Sequence, residues 1–425
     1  MKTIQPVTAR SVIVYVLAAL FLLYEMGLQV SPSVMTKELM LDLQIDAAGL
    51  GIMAGFYFYS YTLMQIPAGL LYDRFSCRYL ISGALLICVL GAMFFAWSDT
   101  VALAALGRFF MGIGSAFAFI GVLVVAGRWF PLQYFALLVG IAQFLAAIGA
   151  IGGEVPLVDA VNRIGWRDTT YWLVAMGFVL LLLIFAVVRD HPPSYKLENR
   201  VRKETGQYSL LKSLAMVVQA KQTWWVALYA FSAWAPIAAF ASLWGVPFLI
   251  ETYQIEKSQA ALAIMMIWLG LAFTSPILGW YSNRLGRRCI LLSFCAGIGF
   301  VCASIVIFIS GVPFWLLCLL LFGFGMAAAG QILSFALVKD NNHKQVTATA
   351  IGFNNMAVVA GGALFQPLIG ILLRLVWQGE FIDGVPWYTM NNYRVAMSVV
   401  PLCFLTGLLA SRLFIKETYC QPKYS

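Results

Sequence analysis

Four ionisable side chains fall inside long apolar runs of this sequence: Glu25, Arg108, Glu154 and Arg394. A charge in hydrocarbon costs several kcal/mol unless it is paired or hydrated, so each is a candidate for ligand binding, proton transfer or an internal ion pair. Glu25 lies 14 residues into the first run, a rise of roughly 21 Å at about 1.5 Å per residue. There it can bind a cationic amino group or carry a proton, or it can be a structural carboxylate hydrogen-bonded to a neighbouring helix. Gln29 shares its face one turn further on. Arg108 and Glu154 fall at similar depths, so they can pair with each other; alternatively the two-pronged guanidinium of Arg108 can hold a substrate carboxylate. Arg394 stands two residues into its run and can snorkel to the surface. For proton coupling Glu25 comes first, then Glu154 together with Arg108, because His191 and His343 lie outside the runs.

Uncharged polar groups extend the set. Tyr57, Tyr61 and Gln65 recur at four-residue steps, one stripe on one helical face that either packs or walls a wet cavity. Asn354 and Asn355 are followed by Gln366, and the 11 residues from Asn355 to Gln366 are close to three turns, which puts the two on a common face. Gln143, Gln331, Ser242, Trp244 and Trp268 add hydrogen-bonding groups and flat apolar surface at plausible cavity depths. Such a lining suits a small zwitterionic or polar solute better than a greasy drug. It contains no nucleophile with a base and no metal-ligand spacing, so an enzyme, a metal centre and a cofactor site are not expected.

The frame for these groups follows from composition. Hydrophobic residues make up 62% of the 425 and charged residues 11%, with a mean hydropathy of +0.87, against roughly a quarter charged in a soluble domain. Twelve apolar stretches, near 11–34, 47–72, 79–98, 101–127, 133–157, 169–188, 224–250, 258–282, 288–311, 313–337, 348–373 and 393–415, are long enough to be helices crossing a bilayer. The expectation is an all-α integral membrane protein whose first helix is retained rather than cleaved. With the amino terminus inside, 20 of the 27 basic residues fall on the cytoplasmic side and 5 (Lys37, Arg163, Arg167, Lys257, Arg374) on the outer side. That bias places both termini in the cytoplasm and makes the net charge of +9 a matter of topology, not of nucleic-acid binding. The polar, basic segment 189–222 separates residues 1–188 from 223–425 as a linker between two six-helix halves, part of it an amphipathic helix on the inner leaflet. None of the eight cysteines lies in an outer loop, so free thiols are expected.

The halves are copies. GLLYDRFSCR at 69–78 recurs as GWYSNRLGRR at 279–288, 210 positions later, each preceded by a proline (Pro67, Pro276). Gly69 and Gly279 allow close helix contact, Arg74 and Arg284 follow, and Asp73 can accept from the amides of a neighbouring helix or pair with Arg128 or Arg78. Those contacts would form only with the cytoplasmic end shut, so the turns are read as gates. Asn283 in the second copy implies a weaker latch.

These residues resemble the major facilitator superfamily across essentially the whole chain. The first turn is similar to its G-x-x-x-D-R-x-G-R-R signature through Gly69, Asp73, Arg74 and Arg78, with Ser76 and Cys77 departing from it. The second keeps Gly279, Arg284, Gly286, Arg287 and Arg288. RFFMGIGSA resembles the family's R-x-x-x-G-x-G pattern through Arg108, Gly112 and Gly114, which also allows Arg108 a proton-relay role; Gly140, Gly149 and Gly153 partly match an antiporter glycine pattern. FLLYEMGLQVSPSVM, the tyrosine-rich second run and SLWGVPFL at 242–249 look like the branch with the lysosomal dipeptide transporter and bacterial phagosomal amino-acid transporters. The resemblance implies two pseudo-symmetric six-helix bundles rocking about a midplane cavity. It implies a monomeric secondary transporter in the cell inner membrane, moving an amino acid or short peptide by proton symport. Uncoupled facilitation, efflux of drugs or a siderophore, and a transporter-like sensor that moves nothing are the alternatives.

Overall fold

In hydrocarbon every backbone N–H and C=O must be satisfied within its own segment, so these apolar runs can only be helices. The computed structural model describes residues 7–131, 134–191, 210–343 and 346–421. Helix α1 (Ala9–Val30) leads through a 3-10 turn to a short helix α2 (Thr36–Asp42), then α3 (Ala47–Arg74), α4 (Cys77–Ala96), α5 (Val101–Trp129), α6 (Phe135–Gly152) and α7 (Val155–Val187). The second half runs α8 (Leu210–Gln219), α9 (Lys221–Pro236), a π-helical segment (Ile237–Trp244), α10 (Gly245–Tyr253), α11 (Lys257–Leu285), α12 (Cys289–Phe308) and α13 (Phe314–Ala328). It ends with α14 (Gln331–Asn341), α15 (Thr347–Val376), a hairpin of β1 (Phe381–Ile382) and β2 (Val385–Pro386), α16 (Met390–Met397), and α17 (Val399–Leu409) with a π-helical end.

Among the described residues ten helical stretches are long and apolar enough to cross a membrane, and the pair α2 and α3, bent by 109°, makes eleven. One stretch, Leu137–Val187, is 51 residues long, about 77 Å as a helix and more than twice a bilayer core of roughly 30 Å. It breaks between α6 and α7 and again at Gly165, whose φ of 81° suits only glycine. Counted as two crossings, it accounts for the twelve expected from the sequence.

The duplication is visible in how each half closes on itself. Asp190, just past α7, accepts from Arg78 N (3.3 Å) and Ser76 Oγ (3.0 Å) at the start of α4. Glu417, just past α17, accepts from Arg288 N (2.9 Å) and Cys289 N (2.8 Å) at the start of α12. In both halves a carboxylate behind the last helix is returned to the positive, amide-bearing end of the third crossing, where it is favoured.

Between halves, α3 packs on α15 and α6 on α11. The α3–α15 approach is close because Gly51 and Gly370 lie against the carbonyls of Gln366 and Ala47, where a Cβ would overlap them. At that end Lys257 pairs with Glu38 (2.7 Å), Arg374 with Asp46 (3.2 Å) and Lys37 with Asp383 (2.8 Å), while Ala47 N donates to the Tyr388 hydroxyl (3.0 Å). These bonds all join the two halves. At the opposite end, no described residue of the two repeat turns forms a hydrogen bond or ion pair with the other half. A Cβ on Gly69 or Gly279 would meet nothing within 4 Å. The tight helix contact expected at these two glycines is therefore not made, whereas the end carrying α2 and the hairpin is joined across the halves.

Candidate functional site

The centre of the first half is assembled by glycine. Gly112 of α5 lies against the Tyr57 carbonyl of α3, a distance no larger residue allows, and Ser60 Oγ donates to Phe109 O (2.7 Å) across the same contact. Tyr57 is thereby set beside Arg108. The Arg108 guanidinium lies over the Tyr57 ring, 4.6 Å from its centre, and donates to Leu28 O (2.9 Å) and Gln29 O (3.2 Å). Those carbonyls belong to the last turn of α1, where carbonyls lack intrahelical partners and the helix end is negative. A cation is favoured there even in the membrane.

Tyr57 in turn donates its hydroxyl to Glu25 Oε2 at 2.7 Å and stacks on Tyr61, rings 5.8 Å apart and 19° from parallel. Glu25, Tyr57 and Arg108 are at most 1% exposed. Three polar atoms of this cluster have no hydrogen-bond partner: Glu25 Oε1, Gln29 Nε2 and Arg108 Nε. One accepts and two donate.

The ion pair between Arg108 and Glu154 that their similar depth suggested is not formed. Glu154 stands at the break before α7 and accepts instead from Trp268 Nε1 of α11 (3.2 Å), across the interface between halves. Depth along a helix fixes height and leaves azimuth open, and here the two side chains point to different neighbours. Trp268 thus meets the first half through a carboxylate rather than standing as flat apolar surface.

A second cross-half bond lies on the stripe: Asn355 Nδ2 donates to Gln65 Oε1 at 2.6 Å. Its neighbour Asn354 turns into the second half and donates to Ser334 Oγ (2.8 Å), next to buried Gln331; Asn354 Oδ1 and Gln331 Oε1 are without partners. Ser334, three residues beyond Gln331 on α14, was missed from the sequence although that spacing marks it. Trp244 Nε1 donates to Gln366 O (3.0 Å) and Gln366 Nε2 to Ala238 O (2.8 Å), so both brace the π-helical segment in which Ser242 Oγ bonds Ile237 O (3.4 Å). Gln366 and Asn355 both lie where α15 faces α3, Gln366 against Gly51 and Asn355 on Gln65. Gln143 is half-buried on α6.

The turn residues hold their own half in this conformation. Arg78 donates from Nε to Phe185 O (2.8 Å) and stacks on the Phe185 ring at 4.3 Å, and Arg128 donates to Tyr72 O (2.7 Å) at the end of α3. Arg284 lies over Trp280 at 5.5 Å, and Asn283 is exposed. The side chains of Asp73 and Arg74 lie outside the described residues. Arg394 reaches Ile307 O (3.2 Å) and Ser310 near the end of α12, as snorkelling requires. All eight cysteines are free, and no group of His, Cys, Asp and Glu among the described residues could hold a metal. Two clefts, of about 370 Å³ beside Asp168 and Trp172 and about 180 Å³ between α11 and α12, lie on the exterior, away from Glu25.

The family model described as Major Facilitator Superfamily matches residues 17–366. A probable hexose phosphate transport protein of Chlamydia pneumoniae is 23% identical over 378 residues, covering 81% of each chain. The membrane sensor protein UhpC of Escherichia coli is 23% identical over 375 residues, covering 81% of this chain and 82% of that one. Among solved structures, a bacterial homolog of the human lysosomal transporter Spinster, crystallised inward-facing and unoccupied, superposes with a TM-score of 0.76 at 15% identity, over 98% of this chain and 99% of that one.

Proposed function

On the premise that the chain belongs to the major facilitator superfamily of secondary transporters, we propose that it moves a small zwitterionic solute, an amino acid or short peptide, by proton-coupled alternating access. The observation carrying this reading is the buried cluster of Glu25, Gln29, Tyr57 and Arg108 with one acceptor and two donors unpartnered. A buried polar atom without a partner costs about 1–3 kcal/mol. A solute with an ammonium at one end and a carboxylate at the other would offset that cost at all three atoms, and its ammonium would compete with a proton for Glu25. The likeness of FLLYEMGLQVSPSVM and SLWGVPFL to the dipeptide and amino-acid branch supports the same solute class.

In this reading residues 1–188 and 223–425 are the moving bundles, 189–222 tethers them, and both termini face the cytoplasm of the inner membrane. The end closed by Lys37, Glu38 and Asp46 is then the outer gate. Surface ion pairs of this kind are individually weak and screened by salt, as a latch that must release in each cycle requires. When the cytoplasmic end shuts, Gly69 and Gly279 receive the helices that are absent beside them here, and Asp73, Arg74, Arg78 and Arg128 form the opposite latch. Glu154, bonded across the interface, is the second candidate for coupling. The protein acts as a monomer.

A second reading, transport of a sugar phosphate, is favoured by the names of the relatives. Against it, a phosphate dianion beside Glu25 would have one buried cation, Arg108, whose terminal nitrogens already serve Leu28 and Gln29. A melting-point screen of purified protein separates the two, because a ligand that binds only the folded state raises the transition. Amino acids or dipeptides should stabilise and hexose phosphates should not. The reverse pattern overturns the first reading in favour of the second.

A further inference from the structure

The two repeat turns use their arginines differently. In the first copy Arg78 is bonded to Phe185 O and stacked on its ring. In the second copy, residues 279–288 contain no acid, since Asn283 stands where the first copy has Asp73. Arg288 is buried and ion-paired with Asp340. Arg284 and Arg287 are exposed, and among the described residues neither forms an ion pair. Two full positive charges remain on one turn.

Directly membrane-side of that turn, α11 and α12 part around an apolar crevice of about 180 Å³, walled by Ile277, Leu278, Tyr281, Leu291, Phe294 and Ile298. The turn that carries both cations joins the two helices at its mouth. Arg284, in the last turn of α11, follows Tyr281 by three residues and Ile277 by seven, and Arg287 stands in the turn two residues before α12 begins. Ile277 and Phe294 are 62% and 60% exposed on two helices that cross the membrane, so the crevice opens onto acyl chains. Trp280, beside Arg284, sits where aromatic rings collect at headgroup level.

We propose that this crevice and the Arg284–Arg287 pair form a binding site for a single anionic phospholipid, with an acyl chain between α11 and α12 and the phosphate held by the two guanidiniums. The apolar walls accept any tail. Selectivity comes from the turn, where two unneutralised guanidiniums favour a headgroup that brings no cation of its own. The lipid phosphate supplies the negative charge that Asn283 lacks and Asp73 provides in the first copy. A free phosphate would use the arginines without the crevice, and a second copy of the chain would cover the crevice without needing a phosphate.

The test is native mass spectrometry of the full-length protein titrated with phosphatidylglycerol or phosphatidylcholine of equal chain length. Phosphatidylglycerol should be retained preferentially. Arg284→Ala with Arg287→Ala should weaken it roughly thirty-fold, from about 1 kcal/mol for each basic residue near the surface. Both side chains are exposed, and Arg284→Lys with Arg287→Lys, keeping the charge, should retain most of the binding. Ile277→Trp, which fills the crevice and leaves the charge, should weaken it too, whereas Arg412→Ala at the same end should not. Equal retention of the two lipids, an unchanged double alanine variant, an unchanged Ile277→Trp protein, displacement by inorganic phosphate, or a lipid found only in a dimer would each overturn the proposal.

Discussion

Tyr57 of α3 and Glu25 of α1, 32 residues apart, share a wholly buried 2.7 Å hydrogen bond in which the phenol donates to the carboxylate oxygen Oε2. A hydrogen bond to a charged group contributes about 1.5–3 kcal/mol. Tyr57→Phe should therefore weaken binding of the stabilising solute by roughly tenfold or more. Glu25→Gln should abolish uphill accumulation in proteoliposomes under a proton gradient while solute exchange at equilibrium survives. A Glu25→Gln protein that still accumulates solute with intact proton coupling removes Glu25 from the coupling role.

Arg108 depends on geometry more than on charge. Its planar fork meets two carbonyls at the end of α1 while its face covers Tyr57, and an ammonium on a flexible stem cannot do both. Arg108→Lys should lower the melting transition by an amount on the order of 2 kcal/mol. An unchanged transition, followed by fluorescence of the purified protein, would show that the fork carries no weight.

The closed end should be lockable. Lys37 of α2 and Asp383 of the hairpin lie 2.8 Å apart across the halves. Paired cysteines there, in a chain stripped of its eight native thiols, should be joined by a short bifunctional thiol reagent when the protein is at rest. Lys37→Cys alone, treated identically, should be unaffected. Failure of the pair to cross-link would mean that the resting protein is open at this end.

The carboxyl-terminal tail carries a pH-dependent anchor. Burial alone would push the Glu417 carboxyl up, but hydrogen bonds from the backbone N–H groups of Cys289, Arg288, Tyr419 and Thr418 outweigh it and hold the carboxyl below its ordinary value. The stabilisation is thus complete above the ordinary carboxylate range, near pH 4.3, and is lost as pH falls through the lower, folded value. Hydrogen exchange, corrected for its intrinsic pH dependence, should show the tail and the start of α12 equally protected at pH 7 and about pH 5, with protection lost on further acidification. Loss already at pH 6 would contradict this.

The crossings and their duplication were legible in the sequence because hydropathy and a 210-residue repeat are one-dimensional signals. What a helix face meets is not. Arg108 and Glu154 matched in height and point to different partners. Gln366 and Asn355 share the face of α15 that their spacing implies, but the partner of Gln366, Ala238 O, lies in a π-helical segment that no apolar period announces. Gly69 and Gly279 signalled contact, but whether a helix packs against them depends on the conformation, which the sequence leaves open. The hairpin could have been found: Asp383-Gly384, with φ of 51° and 82°, is the two-residue turn that favours antiparallel strands.

The most direct measurement is solute flux into proteoliposomes containing the Lys37→Cys/Asp383→Cys protein, using the compound that stabilises the purified chain, before and after cross-linking. Alternating access about the Glu25 cluster requires saturable flux before cross-linking and its loss afterwards, with solute binding retained in detergent. Binding with no flux at any stage would make the protein a sensor, and flux that survives a complete cross-link would mean that the end closed by α2 and the hairpin is not a gate.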